Sequence, residues 1–542
     1  GDFAGASAVL VEGTGVTAEV LPTKAADVHA AKAKMSRGRA SGSARFKLTA
    51  RADAMPGVRE IRLATPQGVS SVWLVVVTDE PVVTEADDKA NNTPGGAQKL
   101  SLPVAVSGKI GAVEDVDCFA FDAKAGQTIA FALWGNRLEN KIHDLQTHLD
   151  PILILTDAKG RELASDDNHD FADPRLIHTF QEGGAYQIQV RDTNYAGNAN
   201  WTYVLHATGG PHVAAVFPMA VNPGTTAELA GEGVNFDGGK PLRLDVPADA
   251  RPGSRWYPLV SDKGRTQPVP VVVTRLPVVK ESGDAGEETG KAQAVTLPAA
   301  ICGRLGARSD ADAYRFGAKK GQVYGFEVVS RRAGSALDPI LRVLDEAGKV
   351  VSETDDTPGF GKDPRVEWTA PGDGDFSVQV ADLHNRGGAE SGYVLLADAA
   401  RPDFVATCDP DKFNIGPGAR TAVFVKAMRR GGFEGPVSFA FEGLPAGVSA
   451  SPLTIPYGMT QGVIVISAAS DARLSSAFVT LMAKADTAGG PLSHEVGPTQ
   501  EIYLPGGGRG LFPVETLAVG VTNPSDIMVE AKPLEVVIKP GE

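Results

Sequence analysis

Asp115-Val116-Asp117-Cys118-Phe119-Ala120-Phe121-Asp122-Ala123-Lys124-Ala125-Gly126-Gln127 returns 195 positions later as Asp310-Ala311-Asp312-Ala313-Tyr314-Arg315-Phe316-Gly317-Ala318-Lys319-Lys320-Gly321-Gln322. In each copy, apolar residues alternate with polar or small ones ahead of a Lys-x-Gly-Gln turn, the period-two pattern of a half-buried strand. Other matches keep the same order. Leu149-Asp150-Pro151-Ile152-Leu153 recurs as Leu337-Asp338-Pro339-Ile340-Leu341, Asp166-Asp167 as Asp355-Asp356, Asp173-Pro174-Arg175 as Asp363-Pro364-Arg365, and Tyr203-Val204-Leu205 as Tyr393-Val394-Leu395. The offset falls to 188 across Trp134–Leu149, which marks a loop insertion in the first copy. Upstream, Pro56-Gly57, Val75-Val76-Val77-Thr78, Pro81-Val82-Val83 and Glu85 match Pro252-Gly253, Val271-Val272-Val273-Thr274, Pro277-Val278-Val279 and Glu281 at an offset of 196. A repeat of this length identifies the architecture before any single element does. The repeating unit is a short β-domain followed by a longer one. The expected fold is all-β: a multidomain array of sandwiches, two tandem copies of a two-domain unit and a C-terminal sandwich.

Strand segments outside the repeat, among them Ala422-Val423-Phe424-Val425, Gly462-Val463-Ile464-Val465-Ile466 and Phe478-Val479-Thr480-Leu481-Met482, have sandwich-like spacing. The expected domains are residues 1–80, 81–208, 209–276, 277–398 and 399–542. Gly1-Asp2-Phe3-Ala4-Gly5 resembles a segment inside the second short domain, Gly233–Gly238, where Thr225–Leu229 reads as a preceding strand. The first short domain is therefore expected to be N-terminally truncated, lacking its opening strand. The start reads as a cut inside a longer chain, with no intact signal peptide. From Lys24 to Lys47, seven basic residues and one acid form either a solvated hairpin loop, with a helix conceivable over Ala25–Met35, or a docking patch for an acidic partner.

The 542 residues carry 52 Lys and Arg against 66 Asp and Glu, a net charge of −14. An acidic surface repels nucleic acid and attracts cations, so no nucleic-acid partner is expected. No run of 18 apolar residues occurs, so no membrane-spanning helix is expected. With 42% hydrophobic residues the chain can bury real cores. Cys118, Cys302 and Cys408 fit no zinc or redox spacing and read as buried thiols.

Residues 81–208 and 277–398 resemble the bacterial pre-peptidase C-terminal domain, a small jelly-roll-like sandwich of secreted proteins. The resemblance rests on an acidic, Asn-containing entry segment, the Asp-x-Asp-x-(Tyr/Phe)-x-Phe strand, the Lys-x-Gly-Gln turn, the Leu-Asp-Pro-x-Leu strand and the Asp-Asp turn. Residues 1–80 and 209–276 look like short immunoglobulin-type domains of the IPT/TIG kind, carried by Pro56–Ser70, and residues 399–542 look like a bacterial Ig-like sandwich.

Calcium takes six to eight hard oxygens, which clustered carboxylates and Asn amides on loops supply. The first copy offers Glu85, Asp87, Asp88, Asn91 and Asn92 in its entry segment, then Asp115 and Asp117. The second offers Glu281, Asp284, Glu287, Asp310 and Asp312, without an Asn pair. In calcium-binding members of the family the entry segment and the Asp-x-Asp region share the ion. Here Lys89 and Ala90 replace an acid and a proline of the usual entry pattern. The same acids also read as solvated linker charge and turn caps. Calcium is the one cofactor expected.

A second cluster, His143, His148, Asp150, Asp166, Asp167, His169, Asp170 and His178, contains metal-ligand types but reads as surface loops, since His143 and His148 stand five apart. Asp150 and Asp338 recur in a strand motif and read as architecture. No Gly-x-Ser-x-Gly, His-Glu-x-x-His or phosphate-loop signature occurs, so no catalytic residue is assigned. The sequence therefore reads as a secreted or cell-surface, non-enzymatic binding or spacer region. Its expected partner is an extracellular protein or polysaccharide matrix. The alternative is the accessory region of a larger secreted hydrolase, such as a protease, with the partner an upstream catalytic domain.

Overall fold

The computed structural model describes residues 3, 5–22, 44–86, 90–138, 148–283, 291–357, 360–487, 489–503 and 509–524. They form strands joined by turns, with short 3-10 turns and no α-helix among them. The basic stretch after Lys24 and the Ala25–Met35 segment lie almost wholly outside the described residues. The strands on either side, Val16–Leu21 and Arg45–Ala50, pair as an antiparallel hairpin. The chain divides into two compact units, one made of residues 1–54, 59–75 and 402–542, the other of residues 55–58 and 76–401.

Within the second unit, both copies of the longer domain are two five-stranded sheets with the same strand order. In the first copy one sheet runs Glu162–Asp166, Pro151–Asp157, Gly184–Asp192, Val116–Ala123, Gln98–Lys99. The other runs Arg175–Thr179, Thr128–Trp134, Thr202–Thr208, Val104–Lys109, Val82–Thr84. The second copy repeats them as Val350–Thr354, Pro339–Leu344, Gly374–Asp382, Ala311–Ala318, Gln293–Ala294 and as Arg365–Thr369, Val323–Val329, Gly392–Ala399, Ala299–Arg304, Val278–Lys280. Register agrees as well: Asp117 lies opposite Val190 and Asp312 opposite Val380.

Alternation of the strands sends one face of each sheet inward, where aromatic rings close the core. Phe121, Phe131, Phe180 and Tyr186 pack together in the first copy, Phe180 and Tyr186 at 4.4 Å between centroids. Phe316, Phe326, Tyr324, Trp368 and Phe376 do so in the second. His178 holds the place of Trp368: it faces Ile129 in the register where Trp368 faces Tyr324, and it stacks edge-on against Phe180. It is a core-edge ring, not part of a metal cluster, and burial pushes its pKa down.

The two aspartates recurring in the Asp-Pro motifs have structural roles. Asp173 accepts the amides of Gly135 and Asn136 at 3.0 and 2.6 Å and pairs with Arg137 at 2.6 Å. Asp363, fully buried, accepts Ser330, Arg331 and Arg332 amides and the Arg332 guanidinium in the same way. Each carboxylate absorbs amides left unpaired where a central strand breaks off, a requirement of any buried turn. Asp150 and Asp338 each immediately precede a strand, with the amide bonded to a neighbouring carboxylate, Asp192 or Asp382.

The second short domain is a six-stranded sheet in the order His212–Phe217, Thr226–Val234, Leu242–Asp245, Gly253–Ser261, Gly264–Val273, Ala220–Val221. Ala8–Val11, Gly57–Thr65 and Gly68–Val69 form a sheet in that order, with Trp73–Val77 also paired to Gly57–Thr65, while the C-terminal region forms two six-stranded sheets. A fully buried polar cluster ties these parts of the first unit together. Arg62 pairs with Asp411 at 2.7 Å and donates to Thr516 O at 2.9 Å, and Glu60 accepts the amides of Glu515 and Thr516. Gly68 leaves room for Asn414, whose amide oxygen receives the Val69 N–H at 2.8 Å. Cys118, Cys302 and Cys408 are all buried and free, and burial pushes their thiols up.

Candidate metal centre

The Asp-x-Asp pair of the first copy straddles the start of the Val116–Ala123 strand. Glu114 just before it stands in the left-handed region at φ 65°, as does its counterpart Ser309 at 60°. A non-glycine residue holds that conformation only where its surroundings demand it. The turn swings Asp115 back so that its Oδ2 accepts the Gly111 amide at 2.7 Å. Asp117, one pleat further on, points into the sandwich and is fully buried. Tyr203 Oη donates to its Oδ2 at 2.7 Å. The entry segment crosses this point: Asn91 Nδ2 donates to Asp117 Oδ1 and Asn92 Nδ2 to Asp115 Oδ1, both at 3.1 Å. The Asn91 carbonyl receives the Cys118 amide at 2.9 Å. Glu85 accepts the Lys109 amide at 2.8 Å and lies against Asp117. Gly108 makes the approach possible, since a Cβ there would collide with the Tyr203 phenol and sit 2.8 Å from Glu85 Oε2.

Five of the predicted ligands, Glu85, Asn91, Asn92, Asp115 and Asp117, thus converge. Asp87 and Asp88 lie outside the described residues. Burial, and then the neighbouring Glu85 charge, hold the Asp117 carboxyl well above the usual carboxylate range. The side-chain oxygens of Asn91 and Asn92 are buried without a hydrogen-bond partner. Two buried amide oxygens without partners and three carboxylates are hard donors of the kind calcium takes; as placed, the two amides turn Nδ2 rather than Oδ1 to the aspartates, so ligation requires both amides to turn over.

The second copy keeps the frame and changes the filling. Gly306 N donates to Asp310 Oδ2 at 2.6 Å, Arg304 N to Glu281 Oε2 at 2.9 Å, and Tyr393 Oη to Asp312 Oδ2 at 2.6 Å. Tyr314 stands where the first copy has Phe119, and its hydroxyl bonds that of Tyr393 at 2.7 Å. The Asn pair has no counterpart in the sequence. Asp284 and Glu287 lie outside the described residues, so the second copy brings together Glu281, Asp310 and Asp312 only.

The histidine-rich cluster is divided by the fold. His143 lies outside the described residues, and Asp150 accepts the Thr193 hydroxyl at 2.6 Å. His169 and Asp170 instead meet Glu390 of the second copy. The three offer ligand atoms within 4.8 Å of one another, with Arg175 paired to both acids. His169 Nε2 is 3.4 Å from Glu390, and Arg331 of the second copy lies 3.8 Å from the Phe171 ring centroid. These loops are therefore contacts between copies. Neither Glu390 nor His212, which lies beneath them, carried any sequence signal, because partners some 200 residues apart leave no local pattern.

No family model matches the chain, and no curated protein sequence matches it. Among solved structures, similarity extends to the pre-peptidase C-terminal domain of a collagenase from Bacillus anthracis, at 15% identity over 21% of this chain and 94% of that one, with a TM-score of 0.16. It extends also to Escherichia coli alpha-2-macroglobulin activated by porcine elastase, at 11% identity over 89% of this chain and 49% of that one, TM-score 0.13. The surface layer protein SbsC, domains 1–6, matches at 10% identity over 75% of this chain and 59% of that one, TM-score 0.14. Scores this low leave the fold to be read from the strands themselves, and those are an all-β, multidomain array of sandwiches.

Proposed function

We propose that this chain is a non-enzymatic, extracellular β-sandwich array that spaces or attaches a partner at a surface or matrix, and that its first long sandwich is stabilised by calcium. The observation that carries this reading is that Asn91 and Asn92, whose side-chain oxygens are buried without partners, set their amides against Asp117 and Asp115 beside Glu85. A divalent ion would supply the positive charge that three neighbouring carboxylates lack, replacing mutual repulsion with ligation. The chain's own residues do the rest. Tyr203 fixes one oxygen of Asp117, Gly111 fixes Asp115, and Gly108 admits Glu85. Asn91 and Asn92 of the entry segment are thereby held against the first long sandwich. IPT/TIG-like short domains, one before each long one, suit the same spacer role. Melting of the full chain with calcium and with chelator, in wild type and in Asp117→Ala, tests this. Calcium is expected to raise the wild-type melting temperature and leave the variant unmoved, because only the folded state assembles the ligands. Equal wild-type melting in both conditions would overturn it.

A further inference from the structure

One outer face of the C-terminal sandwich is apolar where an antiparallel sheet that meets water is ordinarily polar. Its sheet runs Val448–Ala450, Gln461–Ala468, Arg420–Arg430, Asp403–Asp409, Gly497–Tyr503, Arg509–Pro513. Along Arg420–Arg430 and Gln461–Ala468 the side chains alternate cleanly. Val423, Val425, Ile464 and Ile466 point inward and are fully buried. Phe424 and Val463, opposite one another in the register, point outward. Val465 lies one pleat along, opposite Ala422, and Met428 lies near the other end of the strand.

The turn that follows Leu453–Ile455 extends this face. The Ala427 amide bonds the Thr460 carbonyl, which sets the turn alongside Met428. Tyr457 and Met459 on the turn are both exposed. One guanidinium fixes it from beneath: Arg429 donates to the carbonyls of Ile455 and Pro456 at 3.0 and 2.9 Å, to that of Gly435 at 2.8 Å, and to that of Met459. Gly458 supplies the left-handed residue the turn needs, at φ 75°. A turn held this way presents its apolar side chains with little ordering left to do on contact.

Phe424, Met428, Tyr457, Met459, Val463 and Val465 are 38–70% exposed. Together they offer roughly 600 Å² of apolar surface, the upper end of what a monomer ordinarily shows in one patch. Two such patches face to face bury roughly 1,200 Å², enough for a specific interface even before the stems of Lys426 and Arg420 on the same face are counted. A twisted sheet face is matched in shape by another of the same twist, packed about 10 Å away as in a sandwich core. We propose that this face is a contact between two copies of the chain, with Phe424 and Val463 at its centre and the turn held by Arg429 at its border.

Sedimentation of the full chain over about 1–100 µM tests this, in chelator so that the outcome does not depend on the calcium reading. Wild type is expected to pass from monomer to dimer across that range. Added sodium sulfate is expected to tighten the dimer, since the burial is apolar and each copy carries a net charge of −14. Phe424→Glu is expected to weaken it at least tenfold with an unchanged far-UV spectrum, because the side chain already stands in solvent. Val463→Glu carries the same expectation should that variant misfold. Val350→Glu, at an exposed valine of the second long sandwich, is expected to leave the dimer intact. A wild type monomeric throughout, a dimer loosened by sulfate, an unweakened dimer in a folded Phe424→Glu or Val463→Glu chain, or its loss in Val350→Glu would each overturn the proposal. A monomer that instead floats with phosphatidylglycerol vesicles would give the face to a lipid surface and overturn it too.

Discussion

Replacing Arg62 by Met probes the polar cluster that closes the first unit. The Arg62 and Asp411 side chains are 0% and 3% exposed and 2.7 Å apart. Water screens neither, so the pair behaves as a buried ion pair, for which removing one partner costs about 3–5 kcal/mol because the other charge is stranded. Met has a similar length, so little cavity term is added, but the bonds to Thr516 O and Ser70 O also go. At about 2–4 °C per kcal/mol for a unit of this size, the first unit's transition is expected to fall by roughly 6–20 °C. The assay is denaturation of the full chain with amide exchange read at residues 59–66 and 511–522. Exchange should accelerate in both segments together, since Glu60 holds the amides of Glu515 and Thr516. Adding Asp411→Leu should restore much of the loss, because the double variant strands no charge. A cost below about 1 kcal/mol for Arg62→Met, or faster exchange in one segment only, would refute the reasoning.

Three further outcomes follow from the geometry. Asp363→Ala should destabilise the second unit by about 3 kcal/mol or more in denaturant melts, as four donors lose one buried acceptor. Gly108→Ala should cost about 1–3 kcal/mol by crowding Tyr203 and Glu85, measurable in the same melts, while Gly126→Ala meets no neighbouring atom and should cost only the strain of its positive φ. The pH dependence is worked from His212, whose folded pKa of about 3 lies below the unfolded value near 6.5. Its stabilising contribution is complete above pH 6.5 and is lost as pH falls toward 3, roughly 3 kcal/mol by pH 4.5. His169, raised chiefly by its bond to Glu390, works in the opposite direction over the neighbouring range. The difference between wild type and His212→Phe isolates the first effect, and parallel pH profiles would contradict a neutral buried ring.

Much of the fold was legible because the repeat preserves residues that the sandwich uses locally. Tyr203 and Tyr393 each bond the second aspartate of the Asp-x-Asp pair, and the Asp-Pro motifs each cap a broken strand, so those letters recur in order. Five of the site residues were legible for the same reason: Glu85, Asp115 and Asp117 sit at fixed places in that frame, with Asn91 and Asn92 in the entry segment. What local pattern could not carry was long-range pairing. Arg62, Asp411 and Thr516 are ordinary strand or loop residues until the fold places them side by side across some 450 residues. Tyr314 read only as an aromatic variant of Phe119, yet its hydroxyl changes what the second copy's pocket contains. Glu390 became visible only against Arg175 and His169 of the other copy.

The measurement that bears most directly on calcium at the first long sandwich is equilibrium dialysis of the full chain against the ion, with wild type beside Asn91→Leu. Leucine is close in volume but offers no oxygen. The account predicts a saturable site that wild type has and Asn91→Leu lacks or binds at least tenfold more weakly, with Asp312→Asn leaving it unchanged. Wild type that binds no calcium, or an Asn91→Leu chain that binds it equally well, would contradict the account.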